Sequence, residues 1–388
     1  MYKINTVLEA PVLNRSGYGT LSDDVCHALN ANPKLELKVI PVNWGSCIPK
    51  TSIREKDKAI LAKIPKEQIK QMPDLFVSVN LPHIAAPKGK YNVNISCIVE
   101  VDRTYDYLID GLNKYNLSIV TSNFAKDVLF NSNKKPTIPV EVVYWGMDTR
   151  IFHPAAEVQE NVDAELAKIT ESEVFLYSGQ ITHPQLFKDR KDMDTMVKTF
   201  CETFRDTPNV ALVLKTSGTN FSHYDRNAVL ERIKVLKKQA NSSTPVYLLH
   251  GELSEKEMAY LFAHKKVIAG ISFTHGESFG GSTLQTSLAA KPMFITNWSS
   301  NNEIITEPLF LLDGELKVIP ADCVSEFYPQ GSKWFFVDTE KAKAKLLDFY
   351  NNREAYNKAA VELAKTNAEK FSLEKMEYRL NKAINKYI

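Results

Sequence analysis

The sequence has no long apolar run. Nothing in it approaches the roughly 18–20 consecutive apolar residues of a membrane-spanning helix, which excludes an integral membrane protein of that kind. Cysteine is scarce: the five present (Cys26, Cys47, Cys97, Cys201, Cys323) are far apart, odd in number and never in a CxxC pair. That spacing fits the reduced thiols of a cytosolic protein better than a disulfide framework or a zinc site. An excess of either charge is also missing. Against 48 Lys and Arg stand 46 Asp and Glu, a formal balance of +2. This excludes a protein that coats nucleic acid through global charge and leaves room only for a local basic groove. The opening stretch MYKINTVLEAPVL, with one lysine and a short apolar run, does not read as a secretory signal. Internal repeats, low-complexity tracts and Gly/Ser linkers are absent as well.

What is present is an alternating pattern. A chain of 388 residues, 44% of them hydrophobic, exceeds what one core usually supports, so two domains are expected. Short apolar runs, each followed by a helical pattern, mark βαβ units on parallel sheets. In the first half the expected strands are Ile4–Leu8, Leu37–Val42, Leu75–Val79, Val93–Val99, Ser118–Thr121 and Val140–Val143, with helices near Thr20–Ala31, Tyr105–Tyr115 and Ala125–Asn131. Beyond Pro154 and a charged helical stretch, a second series runs Val174–Tyr177, Ala211–Lys215, Val246–Leu249, Val267–Ile271 and Met293–Thr296. Met193, Met196, Val197, Phe200 and Phe204 form one apolar helical stripe, and Leu373, Met376, Leu380, Ala383, Ile384 and Tyr387 another. The expected fold is α/β: two doubly wound, Rossmann-like domains over 1–150 and 151–370, with a C-terminal helix in 371–388 crossing back to the first. Ligands of such folds sit at the carboxyl ends of the strands.

The most informative segment is His275-Gly-Glu-Ser-Phe-Gly-Gly-Ser-Thr-Leu-Gln285, directly after the run Val267–Ile271. Gly280, Gly281, Ser282 and Thr283 precede Leu284, Leu288 and Ala289, which read as one helix face. A strand, a glycine turn and a helix start offer free N–H groups and a positive dipole end to an anion such as a diphosphate. An ordinary tight turn would use the same glycines. Glu277 needs a further reason, because a carboxylate repels phosphate unless it binds another part of the ligand; sugar hydroxyls would suit it. Arg190 and Lys191 stand at another helix start, where the dipole disfavours cations unless an anion is bound; a solvated helix start is the alternative. Lys215 ends the run Ala211–Lys215, where a lysine is also often merely exposed. Gly251 follows Val246–Leu249, and Gly17 and Gly19 lie in Asn14-Arg-Ser-Gly-Tyr-Gly-Thr20, after the first strand. Glu100 and Asp102 follow Val93–Val99, where Asp102 is also placed to cap the next helix.

These segments resemble family 4 glycosyltransferases of the GT-B fold, which carry Glu-x-Phe-Gly ahead of a helix with a second glutamate. The resemblance implies that Glu277 contacts the donor sugar, with Phe279 in the same motif. Gln285 stands where the second glutamate holds the ribose, a departure that leaves a neutral partner. Val143-Tyr-Trp-Gly-Met-Asp-Thr-Arg-Ile-Phe-His-Pro154 is similar to the interdomain connection of the family. Phe175-Leu-Tyr-Ser-Gly-Gln180 is similar to the strand that opens its donor domain, with Gln180 where an arginine is common. By the same resemblance Arg190 and Lys191 contact donor phosphate, and Lys215 and Gly251 line the donor site. Gly17 and Gly19 would close on the phosphates from the opposite domain, and Glu100 and Asp102 would bind the acceptor where many members have a histidine. Ser-Gly-Tyr-Gly, Asn297-Trp-Ser and Ser332-Lys-Trp-Phe-Phe-Val-Asp338 look most like enzymes encoded by large tailed phages.

The activity so implied is retaining transfer of a hexosyl or pentosyl group from a nucleoside diphosphate sugar, UDP-sugar foremost, to an acceptor hydroxyl. No other cofactor and no metal at the diphosphate are expected. The phage likeness suggests hydroxymethylated cytosine in DNA as acceptor, in the host cytoplasm. The cations of Lys50–Lys70 and Arg103 would then form the basic groove; a solvated helical face is the other reading of that run. The alternatives are a glycan, lipid or protein acceptor, an NDP-sugar epimerase, and a non-catalytic sugar-nucleotide-binding module.

Overall fold

The computed structural model describes residues 3–387 except 46, 48, 51–52, 98–99 and 219–220, so the end of the expected strand Val93–Val99 lies outside the described residues. The chain divides into two compact units. The first is Met1–Met147, Val324–Ser332 and Lys370–Ile388; the second is Asp148–Cys323 and Lys333–Glu369. Among the described residues no helix is long and apolar enough to cross a membrane.

The first unit holds, in chain order, β1 (Ile4–Ala10), α1 (Gly17–Asn30), β2 (Leu35–Pro41), the short α2 (Lys58–Leu61), β3 (Leu75–Val79), β4 (Tyr91–Ser96), α3 (Asp106–Leu112), β5 (Leu117–Val120), α4 (Asn123–Asn131) and β6 (Val140–Val142). Its six strands form one parallel sheet in the order β2-β1-β3-β4-β5-β6. Leu75, Phe76, Val77 and Val79 are all buried; a parallel strand covered on both faces reads as a continuous apolar run. The last helix of the chain belongs here too, since Met376, Leu380 and Ile384 share a core with Leu8, Val25 and Val77.

This unit also shows what three cations of the basic run do. Lys50 pairs with Asp23 at 2.5 Å, Arg54 with Asp24 at 3.0 Å and with Asp57 at 2.6 Å, and Lys56 with Asp24 at 3.4 Å. His27 meets Asp57 at 2.8 Å. The three carboxylates are buried, and buried charge is tolerated only when paired. Burial alone would push Asp57 up, yet hydrogen bonds from His27 and Arg54 hold it down at about 2. Lys50, Arg54 and Lys56 therefore neutralise buried carboxylates, while Lys58, Lys66 and Lys70 of the same run are exposed.

The second unit continues with α5 (Glu160–Ala167), β7 (Glu173–Ser178), α6 (Met193–Thr203), β8 (Val210–Lys215), α7 (His223–Gln239), β9 (Val246–Leu248), α8 (Glu255–Ala263), β10 (Val267–Ser272), α9 (Gly281–Leu288), β11 (Met293–Thr296), α10 (Asn301–Ile304) and β12 (Leu311–Leu312). Then come the antiparallel pair β13 (Gly314–Val318) and β14 (Lys333–Val337), α11 (Thr339–Asn351), α12 (Arg353–Lys370) and, in the first unit, α13 (Leu373–Asn385). The parallel sheet runs β12-β11-β10-β7-β8-β9. Its strand order reverses between β7 and β10, and open α/β sheets bind ligands outside the carboxyl ends of the strands at such a point. The stripe on α6 is buried as its spacing requires, with Phe200 and Phe204 each 5.2 Å from Phe175 between ring centres. Among the features not read from the sequence are the edge strand β12, the antiparallel pair β13–β14, and the grouping of Val324–Ser332 with the first unit although both flanks belong to the second.

Candidate functional site

The loops after β7 and β10 meet at the reversal point. The loop after β10 carries Glu277, which is 8% exposed and whose carboxylate takes two cations from the other loop. Lys191 Nζ lies 2.5 Å and Arg190 Nη1 3.1 Å from the same oxygen, Oε1. Thr274 Oγ1 donates to that oxygen at 2.8 Å. Burial would raise the Glu277 carboxyl, but Lys191 and Arg190 outweigh it and hold the group down at about 2. Glu277 is thus a carboxylate at neutral pH, an acceptor of hydrogen bonds and not an acid. Here the structure corrects the sequence argument: the anion that makes two cations tolerable before α6 is supplied by the protein itself.

Each partner is held in turn. Ser300 Oγ lies 2.8 Å from the carbonyls of both Glu277 and Phe279, and the Glu277 N–H donates to Ser299 Oγ at 3.0 Å. The His275 ring stacks on Trp334 at 5.0 Å, and its Nδ1 donates to the Phe335 carbonyl at 2.7 Å, so β14 braces the loop from one side. The His275 N–H donates to the Arg190 carbonyl at 2.7 Å, joining the two loops directly. On the β7 side Asp189 Oδ1 accepts the Lys191 N–H at 2.7 Å. Asp194, wholly buried, takes Arg232 in two contacts of 2.6 and 2.5 Å and the Phe187 N–H at 2.6 Å. Asp192 and Asp194 have the Asp-x-Asp spacing that often holds a metal, but they face different partners: Asp192 lies 3.7 Å from His275 Nε2, Asp194 against Arg232. Sequence reasoning did not find Thr274, Ser300, Asp194 or Arg232. Arg232 sits mid-helix in α7, 38 residues from its partner, with no local motif to mark it.

The helix start α9 completes the arrangement. Gly280 is its N-cap at φ 96°, with Gly281, Ser282 and Thr283 in the first turn and no side chain capping it. A Cβ on Gly280 would come 3.2 Å from Asn301 Oδ1. Gly280→Ala is therefore expected to cost about 1–2 kcal/mol from backbone strain, read as a lowered melting temperature. An unaltered melt would show that the turn relaxes freely. Gln285 lies half-buried on the same helix.

Other expected donor residues gather at the ends of β8 and β9. Lys215 is buried, not merely exposed, and its Nζ donates to the Gly251 carbonyl at 2.5 Å while lying 5.2 Å from the Phe221 ring centre. Gly251 adopts φ 123°. His250 Nε2 meets Asp225 Oδ2 at 2.8 Å beside them. Gln180, exposed, donates to the Gly218 carbonyl at 2.8 Å, tying the loop after β7 to that after β8.

In the first unit Gly17 and Gly19 open α1, where Ser16 accepts the Gly19 N–H. Gly19 has a packing reason to be glycine, since a Cβ would fall 2.0 Å from the Asn14 carbonyl oxygen; Gly17 has open space. Asp102 does not cap α3, whose N-cap is Tyr105 without a side-chain bond; it pairs with Arg103 at 3.3 Å instead. Glu100 Oε2 accepts the Tyr328 hydroxyl at 3.1 Å.

Solved structures share this fold across almost the whole chain. Sucrose-phosphate synthase from Thermosynechococcus elongatus superposes with a TM-score of 0.67 at 13% identity, covering 99% of each chain. The fold is GT-B. HepE from Anabaena, in complex with UDP-glucose, gives 0.63 at 12% identity over 99% of this chain and 100% of its own. A glycosyltransferase from Rickettsia africae gives 0.64 at 13% identity over 98% and 97%. No protein-family model and no curated protein matches the sequence. The GT-B chain described here thus shares its backbone plan, and little of its sequence, with these proteins.

Proposed function

We propose that this GT-B chain is a retaining glycosyltransferase that moves a sugar from a nucleoside diphosphate sugar, UDP-sugar foremost, to an acceptor hydroxyl. The observation that carries the reading is Glu277, ionised and held by Arg190, Lys191 and Thr274 beside the uncapped helix start at Gly280–Thr283. Two of the structures it resembles hold UDP with glucose or UDP-glucose, and the fold leaves the donor chemistry to these residues. A bound donor would place its diphosphate on Lys191, Arg190 and the N–H groups of α9, and its sugar hydroxyls on Glu277. The bond between the anomeric carbon and phosphate breaks, the acceptor oxygen bonds to that carbon on the same face, and the acceptor proton passes to the departing diphosphate. Fixed positive groups at that leaving oxygen lower the barrier.

Modified DNA is the acceptor that the phage likeness suggests. The pairing of Lys50, Arg54 and Lys56 with Asp23, Asp24 and Asp57 takes three cations out of the run that would serve it, leaving the exposed Lys58, Lys66 and Lys70, and a DNA acceptor would require cations free to release counterions. The donor reading is tested by calorimetry. UDP should bind the unaltered chain, and Lys191→Ala should weaken it by about 1.5–3 kcal/mol, the usual range for hydrogen bonds to charged groups. Equal UDP affinity in the two would remove Lys191 from the diphosphate site. Release of nucleoside diphosphate across a panel of donors would then name the sugar.

A further inference from the structure

We propose that the first unit carries an aromatic platform for an uncharged carbohydrate acceptor, built where Val324–Ser332 folds onto the start of α3. The proposal rests on the transferase reading above and names the acceptor class. The rings of Tyr105 and Tyr107 stack at 5.2 Å with 25° between planes, and His83 meets Tyr107 edge-on at 5.0 Å. Both hydroxyls are turned away to the chain: Tyr105 donates to the Ser325 carbonyl at 2.8 Å and Tyr107 to the Glu326 carbonyl at 2.5 Å. Tyr328 donates to Glu100 at 3.1 Å, and Phe327 lies 6.4 Å from it between ring centres. Four bonded or stacked aromatics thus come from two segments more than 200 residues apart in sequence, as the separation of 220 for Tyr105 and Ser325 shows.

Tyr107, Phe327 and Ile84 nevertheless stay 39%, 44% and 59% exposed. A group of exposed apolar side chains held in place by hydrogen bonds at their rim marks a binding surface. Aromatic faces carry negative charge and attract the polarised C–H face of a sugar ring. The neighbouring carboxylates are Glu100, which accepts the Tyr328 hydroxyl, Asp106, between Tyr105 and Tyr107 in sequence, and Glu326, whose carbonyl accepts the Tyr107 hydroxyl. They accept sugar hydroxyls and repel phosphodiesters. The nearby cations are already engaged, Arg103 by Asp102 and Lys134 by Asp110. The balance favours a neutral, hydroxyl-rich acceptor over DNA.

The test uses the full chain and ligand-observed NMR with neutral trisaccharides of glucose, galactose and mannose, and with a single-stranded oligonucleotide carrying hydroxymethylcytosine. At least one trisaccharide should bind in preference to the oligonucleotide. Tyr107→Leu should weaken that binding at least tenfold, while Tyr107→Phe, which keeps the ring and loses the tether, should retain most of it. Preference for the oligonucleotide, no sugar binding, or equal weakening by the two variants would overturn the proposal. UDP titrated into the unaltered chain reports separately on the donor reading, so failure of one is told from failure of the other.

Discussion

Glu277→Ala is expected to lower the stability of the second unit by about 3–5 kcal/mol, in addition to abolishing most turnover. The effect reaches the fold as well as the chemistry, because the side chains of Arg190 and Lys191 are 8% and 18% exposed and share one carboxylate oxygen. Removing that carboxylate leaves two largely buried cations uncompensated. For a unit of this size the loss corresponds to a fall of roughly 10 °C in melting temperature. Glu277→Gln, which keeps the shape and an acceptor for Thr274, should fall between. The pH dependence has a definite sign. The Glu277 carboxyl is depressed from 4.5 to about 2 in the folded chain, so its stabilisation is complete above the unfolded value and is lost as pH falls towards 2. The wild-type chain should therefore lose its advantage over Glu277→Ala between about pH 4.5 and 2. A melt of Glu277→Ala that matches wild type at pH 7 would show that the cations are satisfied elsewhere.

Arg232→Ala is expected to be of the same size, about 3–5 kcal/mol, although Arg232 touches none of the residues proposed to meet substrate. Asp194 is fully buried and depends on Arg232 for two of its contacts. The same guanidinium donates to the carbonyls of His183, Pro184 and Gln185 at 3.0–3.1 Å. Its loss strands a buried charge and releases the loop that delivers Arg190 and Lys191. UDP affinity should therefore fall together with the melting temperature. The double variant Asp194→Leu with Arg232→Met should recover much of the stability, since replacing a buried pair by apolar groups is often neutral, but not the affinity, because the three carbonyls remain without a donor. Recovery of both would show that the loop is ordered without Arg232.

Periodicity and turn chemistry are local properties, and they were sufficient for the fold class. The apolar runs around Leu75–Val79 and Val174–Tyr177, short and followed by helical patterns, read as buried strands, and the stripes of α6 and α13 read as helices that cover a core. The glycine turn at Gly280 and the carboxylate at Glu277 were legible for the same reason, since each departs from what a plain βα turn needs. Partner choice was not legible. Lys50, Arg54 and Lys56 read as a basic run, and only packing against α1 shows that they neutralise Asp23, Asp24 and Asp57. Helix capping is one of two sequence readings for Asp102, yet α3 starts at Asp106 and Asp102 bonds to its neighbour Arg103. Arg190, Lys191 and Glu277 were each singled out, but their meeting on one oxygen depends on β7 and β10 being adjacent in the sheet, more than 80 residues apart in the chain. The sequence by itself determined the principal strands of both sheets and the helices α6 and α13, because backbone propensity and side-chain period act over a few residues. Only the tertiary structure decided which charges are paired and where Val324–Ser332 rests. Those outcomes depend on burial and on long-range contact, neither of which leaves a periodic trace along the chain.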